Sequence, residues 1–196
     1  MHDAKLRLHR AATLELVPDR NARRVIAVLA FVIVTALGAK VAVPAPFTPV
    51  PVTLQTLFVL LSGALLGPVL GAASQVAYLG LGAAGVPVFA SGFGLPYLLG
   101  PTGGYLLAFP ATAFLAGVVA RRAPRGALAV PALYAGLFLA SLVTLGGGTA
   151  WLAVLTGDTS GAVALGFVPF IAGDLLKVGL AALIAWRVRD RTLGLL

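Results

Sequence analysis

The sequence contains no cysteine, and its two histidines, His2 and His9, both lie in a polar N-terminal stretch. Without cysteine there is no disulfide, thiol chemistry or thiolate metal site, and most of the chain offers no histidine for an active site. Charge is scarce as well, because residues 41 to 120 contain no Asp, Glu, Lys or Arg. A water-soluble domain does not leave so long a segment uncharged. The chain is therefore predicted to be an integral membrane protein without a metal site.

Hydrophobic residues make up 60% of the 196 residues, and the mean hydropathy is +1.03. This length and composition predict one all-α bundle with little soluble mass outside the membrane. The first apolar run is long enough to cross a hydrocarbon core of about 30 Å, which favours a transmembrane helix over a cleaved signal peptide. We expect a bundle of six transmembrane helices, approximately at residues 25–43, 54–66, 69–81, 98–119, 128–145 and 163–186.

Twelve of the fourteen Lys and Arg residues fall into three clusters, within residues 5–24, 121–125 and 187–191. Basic residues favour the cytoplasmic side, and an even number of expected helices separates neighbouring clusters, so both termini are expected in the cytoplasm. We interpret the basic residues behind the net charge of +8 as setting the membrane topology and contacting anionic lipids, not as binding nucleic acid. The expected organisation is a cytoplasmic basic tail at 1–24, a six-helix domain at 25–187 and a cytoplasmic tail at 188–196.

Three irregular stretches are expected on the outer face of the membrane, at residues 44–53, 86–96 and 146–161. The first contains Pro44, Pro46, Pro49 and Pro51, which fix the backbone and remove amide donors. It is therefore predicted to be extended and stiff, as suits the lid or wall of a site.

Asp174 and Lys177 are the sharpest chemical signal, because both are charged and lie inside the last apolar segment. A spacing of three places them on one helix face, and each costs about 2.5 to 3.5 kcal/mol near the bilayer centre. One interpretation is a structural ion pair; the other is a polar site for a ligand that carries donors and a negative group. If Pro169 begins the helix, the pair lies close enough to the outer surface for a ligand to enter. Lys40 is expected to extend to the interface, and Asp158 to face water.

No Gly-x-x-x-x-Gly-Lys-Ser/Thr motif occurs anywhere in the chain. That motif forms the phosphate-binding loop of many ATPases. If the protein takes part in ATP-driven transport, another subunit must hydrolyse the ATP, and we expect this chain to bind no cofactor.

Three separated motifs occur in order, PFTPVPVTLQ at residues 46–55, YLGLGAAGVPVF at 78–89 and LGPTGGYL at 99–106. They resemble the BioY family, the biotin-binding S-components of energy-coupling factor (ECF) transporters. The charged pair lies in the last helix, where the family has it, and the resemblance leaves out only the N-terminal tail. It implies an outward-facing biotin site closed by the first outer loop, in the cytoplasmic membrane of a bacterium. It also implies a non-enzymatic protein that works with a transmembrane T-component and two cytosolic ATPase subunits.

The chemistry of biotin agrees with this resemblance. Biotin offers two ureido N–H donors, a ureido carbonyl, an apolar ring and a carboxylate on an alkyl chain. Asp174 can accept from the ureido N–H groups, and Lys177 can meet the ureido carbonyl or the ligand carboxylate. The expected contacts of the ligand are Asp174, Lys177, Gln75, Tyr78, Tyr105, Thr48, Phe93 and Thr102. The expected apolar walls are Phe47, Phe89, Phe93, Tyr97, Tyr105 and Trp151.

Other functions remain open on the sequence alone. One alternative is a membrane enzyme, with Asp174 as general base and Lys177 holding a lipid-like substrate. It is disfavoured because no His or Cys lies in the bundle to assist the reaction. A proton-coupled transporter or channel is less favoured, because proton relays use several intramembrane acids. A transporter for a related cofactor precursor is a further alternative.

Overall fold

The computed structural model describes residues 19–44, 46 and 48–196. Within these residues the chain is mostly helical, with one pair of two-residue strands. The strands are β1 (Ala42–Val43) and β2 (Val52–Thr53). The helices are α1 (Arg20–Lys40), α2 (Gln55–Leu66), α3 (Pro68–Ala83), α4 (Gly94–Leu98), α5 (Gly103–Arg122), α6 (Ala129–Thr156), α7 (Thr159–Gly166) and α8 (Val168–Leu195), with a 3₁₀ turn at Gly126–Leu128 before α6.

Each of the six predicted apolar segments overlaps one of the longer helices, α1, α2, α3, α5, α6 or α8. Four stretches of the described chain are long and apolar enough to cross a membrane, at Arg20–Lys40, Gly103–Arg122, Gly126–Thr156 and Thr159–Leu195. The prediction of a helical membrane fold is thereby confirmed. The two remaining helices, α2 and α3, are shorter, with 12 and 16 residues.

The predicted third loop at residues 146–161 is wrong, because α6 continues through three successive glycines as far as Thr156. A side chain at Gly148 would overlap the ring of Tyr105, so glycine there permits close packing of α6 on α5. The loop shrinks to a turn at Gly157 and Asp158. Asp158 is exposed and caps α7, and the Gly161 N–H and Ser160 hydroxyl that donate to its carboxylate lower its pKa.

The predicted last segment is divided in two by a break at Phe167, which separates α7 from α8. Pro169 lies in the first turn of α8, as expected, where its missing N–H leaves no helical hydrogen bond unmade. Because α8 begins there, Asp174 and Lys177 lie in its second and third turns. The helix then continues to Leu195, nine residues beyond the predicted end at Trp186.

In the first loop, predicted to be extended over residues 44–53, β2 is extended, whereas Pro46 lies in a turn and Pro49 and Val50 lie in a bend. β1 and β2 pair antiparallel, with Ala42 opposite Thr53 and Val43 opposite Val52. The pairing brings the chain back to the start of α2, where the Leu54 N–H donates to the Gly38 carbonyl at 3.2 Å. The loop end of the bundle, defined by residues 41–54 and 84–102, is therefore folded against the tops of the helices.

Lys40 joins two parts of the loop end. Its Nζ donates to the Phe89 carbonyl oxygen at 2.7 Å, although the residue itself is exposed. Phe89 is fully buried beneath it and stacks on Tyr97 with ring centroids 5.2 Å apart. Lys40 thus combines the expected surface position with a tether between α1 and the second loop.

Small residues let α2, α3 and α5 approach each other closely. A Cβ at Gly63 of α2 would overlap the Ala113 carbonyl oxygen of α5. A Cβ at Gly71 of α3 would lie 2.6 Å from the Gly63 Cα. The backbones therefore meet where a side chain would hold them apart, which fixes how these helices pack.

We expect Gly63→Ala to destabilise the fold by about 2 kcal/mol or more, because the added methyl group must push two helix backbones apart. The measurement is the midpoint of thermal unfolding in detergent. Gly80→Ala is the matched control, because that helical glycine has open space where a Cβ would lie. Equal midpoints for the two variants would contradict the close packing at Gly63.

Candidate functional site

The site is built around an ion pair in α8. Lys177 Nζ lies 2.7 Å from Asp174 Oδ1, one helical turn apart. Asp174 is 1% exposed and Lys177 is 7% exposed. Pairing removes much of the cost of burying each charge, and this explains how both are tolerated inside the bundle.

Residues at the start of α2 complete the surroundings of Lys177. Its Nζ donates to Thr56 Oγ1 at 2.6 Å and to the Thr53 carbonyl oxygen at 3.3 Å. With Asp174, these acceptors match the three donors of an ammonium group. The Thr56 hydroxyl in turn donates to Asp174 Oδ1 at 3.4 Å. Asp174 therefore lies beside the positive end of the α2 dipole as well as beside Lys177.

The second carboxylate oxygen of Asp174 is different. Asp174 Oδ2 is buried and has no hydrogen-bond partner among the described residues. A buried acceptor that lacks a donor is costly, and charged groups carry the larger penalty. An N–H or O–H donor on a ligand would remove that penalty. The pair is thus more than a closed structural ion pair, because one strong acceptor is left over.

Asp174 and Lys177 line an inner cavity at the loop end, with a water-accessible volume of about 50 Å³. Its polar groups come from β2, α2 and α8 and from the hydroxyls of Tyr97, Thr102, Tyr105 and Thr144, and aliphatic and aromatic side chains form the other walls. The inner cavity is lined by Val50, Pro51, Thr53, Gln55, Thr56, Ala90, Tyr97, Thr102, Tyr105, Leu106, Phe109, Thr144, Leu145, Phe170, Asp174 and Lys177. A polar end and apolar walls are the usual features of a small-molecule site.

A larger outer cavity of about 360 Å³ adjoins it. The two cavities share Pro51 and Ala90, which lie in the first and second loops. The outer cavity is otherwise lined by Ala42, Pro44, Thr48, Pro49 and Ser91. The stiff proline loop therefore separates the buried pair from the surface of the bundle.

Four of the eight residues predicted to contact the ligand lie together, because Thr102 and Tyr105 line the inner cavity with Asp174 and Lys177. Tyr105 is held by its hydroxyl, which donates to the Gly166 carbonyl oxygen at 2.5 Å. Thr48 lines the outer cavity instead. These positions follow from α5 and α8 beginning at the same end of the bundle.

The other predicted contacts lie elsewhere. Tyr78 is fully buried behind the cavity, where its hydroxyl accepts from Gln55 Nε2 at 2.7 Å and donates to the Val88 carbonyl oxygen at 3.0 Å. Gln75 lies outside the cavity lining, and its amide donates to Ser62 and Ser74 at 3.1 Å in each case. Phe93 is 62% exposed and does not line the inner cavity.

The predicted aromatic wall is only partly present. Tyr97 and Tyr105 line the cavity, while Phe89 supports Tyr97 from behind. Trp151 donates its indole N–H to the Gly100 carbonyl oxygen at 3.0 Å and so holds the loop before α5. Phe47 lies outside the described residues.

Several lining residues were not predicted from the sequence. The most important are Gln55 and Thr56, which lie at the start of α2 and carry polar groups into the cavity. Thr53 extends this cluster, because its hydroxyl donates to Gln55 Oε1 at 3.1 Å. The sequence feature that could have revealed them is the presence of three polar residues at positions 53, 55 and 56, just after the prolines in a segment without charge. Phe109 and Phe170 supply aromatic walls that were not predicted.

Comparison with known proteins places this chain in a family. The model of the BioY family matches residues 9–193. A probable biotin transporter BioY from Pyrococcus horikoshii is 42% identical over 174 residues, which cover 88% of this chain and 99% of the relative. A biotin transporter BioY from Thermotoga maritima is 39% identical over 160 residues, which cover 81% of this chain and 91% of the relative.

A solved structure has the same fold. The crystal structure of the S-component for biotin from an ECF-type ABC transporter superposes with a TM-score of 0.76 at 26% identity. The match covers 87% of this chain and 93% of that chain. Since the family model covers nearly the whole sequence and the fold agrees, the chain belongs to the BioY family.

Proposed function

We propose that this chain binds biotin and serves as the substrate-binding subunit of an ECF-type uptake transporter. The observation that carries the proposal is the buried acceptor Asp174 Oδ2, which has no donor among the described residues and belongs to a residue that lines the inner cavity. The relatives named as biotin transporters identify the ligand that would supply the donor.

Asp174 is proposed to accept a hydrogen bond from a ureido N–H of biotin at Oδ2. Lys177 orients that carboxylate through its bond to Oδ1, which leaves Oδ2 for the ligand. All three donors of Lys177 already have acceptors, so it can meet a ligand oxygen only by exchange. The Thr53 carbonyl oxygen is the most distant of these acceptors, at 3.3 Å, and is the one we expect a ureido carbonyl to replace.

The apolar ring of biotin is proposed to lie against the aromatic walls of the inner cavity, namely Tyr97, Tyr105, Phe109 and Phe170. Its alkyl chain would pass between Pro51 and Ala90 toward the outer cavity, where Thr48 lies. The loop residues at this passage must move outward to admit the ligand, because the inner cavity holds only about 50 Å³ of water-accessible space.

The proposal includes an arrangement in the membrane. All six longer helices, α2 and α3 included, are proposed to span the cytoplasmic membrane of a bacterium, with both termini in the cytoplasm. We propose residues 25–187 as the membrane domain between cytoplasmic tails at 1–24 and 188–196, with α1 and α8 extending into the tails as far as Arg20 and Leu195. A T-component and two ATPase subunits would supply the motion and hydrolyse ATP, which this chain has no phosphate-binding loop to bind.

The alternative of a membrane enzyme is not favoured. The relatives are named as transporters, and we infer that this chain is a transport protein and not an enzyme. In the described inner cavity, Asp174 and Lys177 are accompanied by tyrosines and no other acid or base. That set gives a site for binding by hydrogen bonds and shape.

We expect the purified full chain to bind biotin saturably, with one site per chain. The measurement is isothermal titration calorimetry in detergent, with riboflavin and thiamine as controls, because they lack the ureido ring. If a related cofactor precursor binds as tightly as biotin, the site would be assigned to that precursor. Absence of biotin binding by a folded, monodisperse sample would contradict the proposal.

A further inference from the structure

The opposite end of the bundle carries a second built cavity, which biotin binding does not use. It has a water-accessible volume of about 270 Å³ and lies between α1, α3, α5 and the end of α8. Its lining combines guanidinium groups with aliphatic side chains. The residues of this arginine cavity are Arg20, Arg24, Leu66, Val69, Leu70, Arg121, Leu193 and Leu196.

The arginines of the cavity retain donors for a ligand. Arg20 and Arg24 lie one turn apart on α1, and the Nε atom of each donates to the Leu196 carbonyl oxygen at 2.8 Å. These bonds orient both guanidinium groups but leave their terminal N–H groups unused by the described residues. In that part of the chain the carboxylate of Asp190 pairs with Arg125 and Arg189, and no side-chain carboxylate pairs with Arg20, Arg24 or Arg121.

The guanidinium group of Arg121 lies at the junction of α2 and α3. Gly67 has a φ of 85°, and a Cβ there would lie 2.6 Å from Arg121 Nη2. The absence of a side chain at Gly67 lets the guanidinium lie across the start of α3. Val69 and Leu70 are in the first turn of α3, where backbone N–H groups have no helical acceptor and the helix dipole is positive. The guanidinium group, the free N–H groups and the positive end of the helix dipole each attract an anion.

An apolar groove continues from the arginine cavity along α1. It has a volume of about 360 Å³ and shares Leu66 and Leu196 with the arginine cavity. The groove is otherwise lined by Arg23, Ile26, Ala27, Ala30, Phe31, Thr192 and Leu195. Arg23 Nε is buried at this groove without a hydrogen-bond partner in the described part of the protein. A polar, cationic head and an apolar extension together match an amphiphile that carries a negative charge.

We propose that this surface binds one anionic phospholipid, with its phosphodiester in the arginine cavity and an acyl chain in the apolar groove. Arginine donates to phosphate in a forked geometry, and guanidinium clusters between membrane helices are suited to anionic headgroups. The bound lipid would hold α1 against α3, α5 and the end of α8. The proposal does not depend on biotin binding, because the two cavities lie at opposite ends of the helices.

Native mass spectrometry of the full-length protein tests the proposal, with phosphatidylglycerol and phosphatidylcholine of identical acyl chains as probes. We expect one phosphatidylglycerol to remain bound under conditions that remove phosphatidylcholine. Replacing Arg20, Arg24 and Arg121 together by Gln is expected to weaken phosphatidylglycerol binding about a hundredfold. Arg121→Lys keeps the charge but loses the fork, and is expected to retain an intermediate affinity.

Matched controls separate a site from a general charge effect. Arg122→Gln and Arg187→Gln remove arginines from the same end of the bundle but outside the cavity lining, and should leave the affinity unchanged. Ala27→Leu narrows the apolar groove and should weaken phosphatidylglycerol without a change in charge. A monodisperse gel-filtration profile in detergent, matching that of the wild type, establishes that each variant is folded without reference to biotin.

Three results would overturn the lipid proposal. One is equal retention of phosphatidylglycerol and phosphatidylcholine. Another is that Arg122→Gln weakens phosphatidylglycerol binding as much as the triple variant does, which would mean that any arginine at this end attracts the lipid by charge alone. The third is full competition by glycerol phosphate at matched concentration, which would mean a site for a free phosphate ester, without a role for the acyl chain. Loss of biotin binding in the wild-type protein would leave these lipid measurements unaffected, so the two proposals fail separately.

Discussion

Asp174→Asn is expected to weaken biotin binding by about a hundredfold, which corresponds to about 3 kcal/mol. The substitution keeps the shape of the side chain but removes its charge and introduces an N–H₂ group. That group can turn toward the ligand, where a donor would then face the ureido donors. Lys177 would also lose its counter-charge, so part of the loss comes from an uncompensated buried ammonium.

Calorimetry with biotin, at one temperature and in one detergent, measures this loss. Asp158→Asn is the control, because Asp158 is an exposed carboxylate in the turn before α7 and lines neither the inner nor the outer cavity. Its affinity should equal that of the wild type. Biotin binding by Asp174→Asn within about threefold of wild type would contradict the placement of the ureido group at Oδ2.

The architecture was readable from the sequence where one chemical property dominates. Hydropathy located all six longer helices, because a helix inside a bilayer must be apolar along most of its length. It failed at residues 146–156, where glycines were interpreted as a loop. The helix persists there because Gly148 lies against Tyr105, and a packing contact between residues 43 positions apart is invisible to local propensity.

The site shows the same division. Asp174 and Lys177 were evident because a charge in an apolar segment needs a partner, and the partner was one helical turn away. Gln75 and Tyr78 were predicted to contact the ligand; both are buried, and they share one face of α3 with Gly71. The contact of Gly71 with Gly63 sets the rotation of α3, and this turns Gln75 toward Ser62 and Ser74, away from the inner cavity.

Gln55 and Thr56 were missed for a related reason. Polar residues at the first turn of a helix are common as caps, so their pattern alone does not indicate a ligand site. Their importance follows from the approach of α2 to α8, which brings the Thr56 hydroxyl within hydrogen-bonding distance of Lys177 and Asp174. Tyr78 affects the inner cavity indirectly, because its hydroxyl positions the amide of Gln55.

The charged pair is proposed to have a structural and a ligand-binding role, and Lys177→Met tests the structural one. This variant leaves Asp174 buried without a counter-charge, and it removes the donors to Thr53 and Thr56. Breaking a buried pair from one side costs about 3 to 5 kcal/mol, so we expect a large fall in the midpoint of thermal unfolding. Lys40→Met is the control, because that lysine is exposed and holds one loop carbonyl, and its effect on the midpoint should be small.

The double variant Asp174→Leu with Lys177→Met decides between the structural and the ligand-binding interpretation. It removes both charges, so most of the stability lost in Lys177→Met should return, since an apolar replacement of a buried pair is often close to neutral. Biotin binding should stay lost, because the strong acceptor at Oδ2 is gone. A double variant that recovers both stability and binding would make the pair structural only and would move the ligand site elsewhere. Recovery of stability alone would mean that the bundle tolerates an apolar substitute and that the pair is required for recognition of the ureido ring.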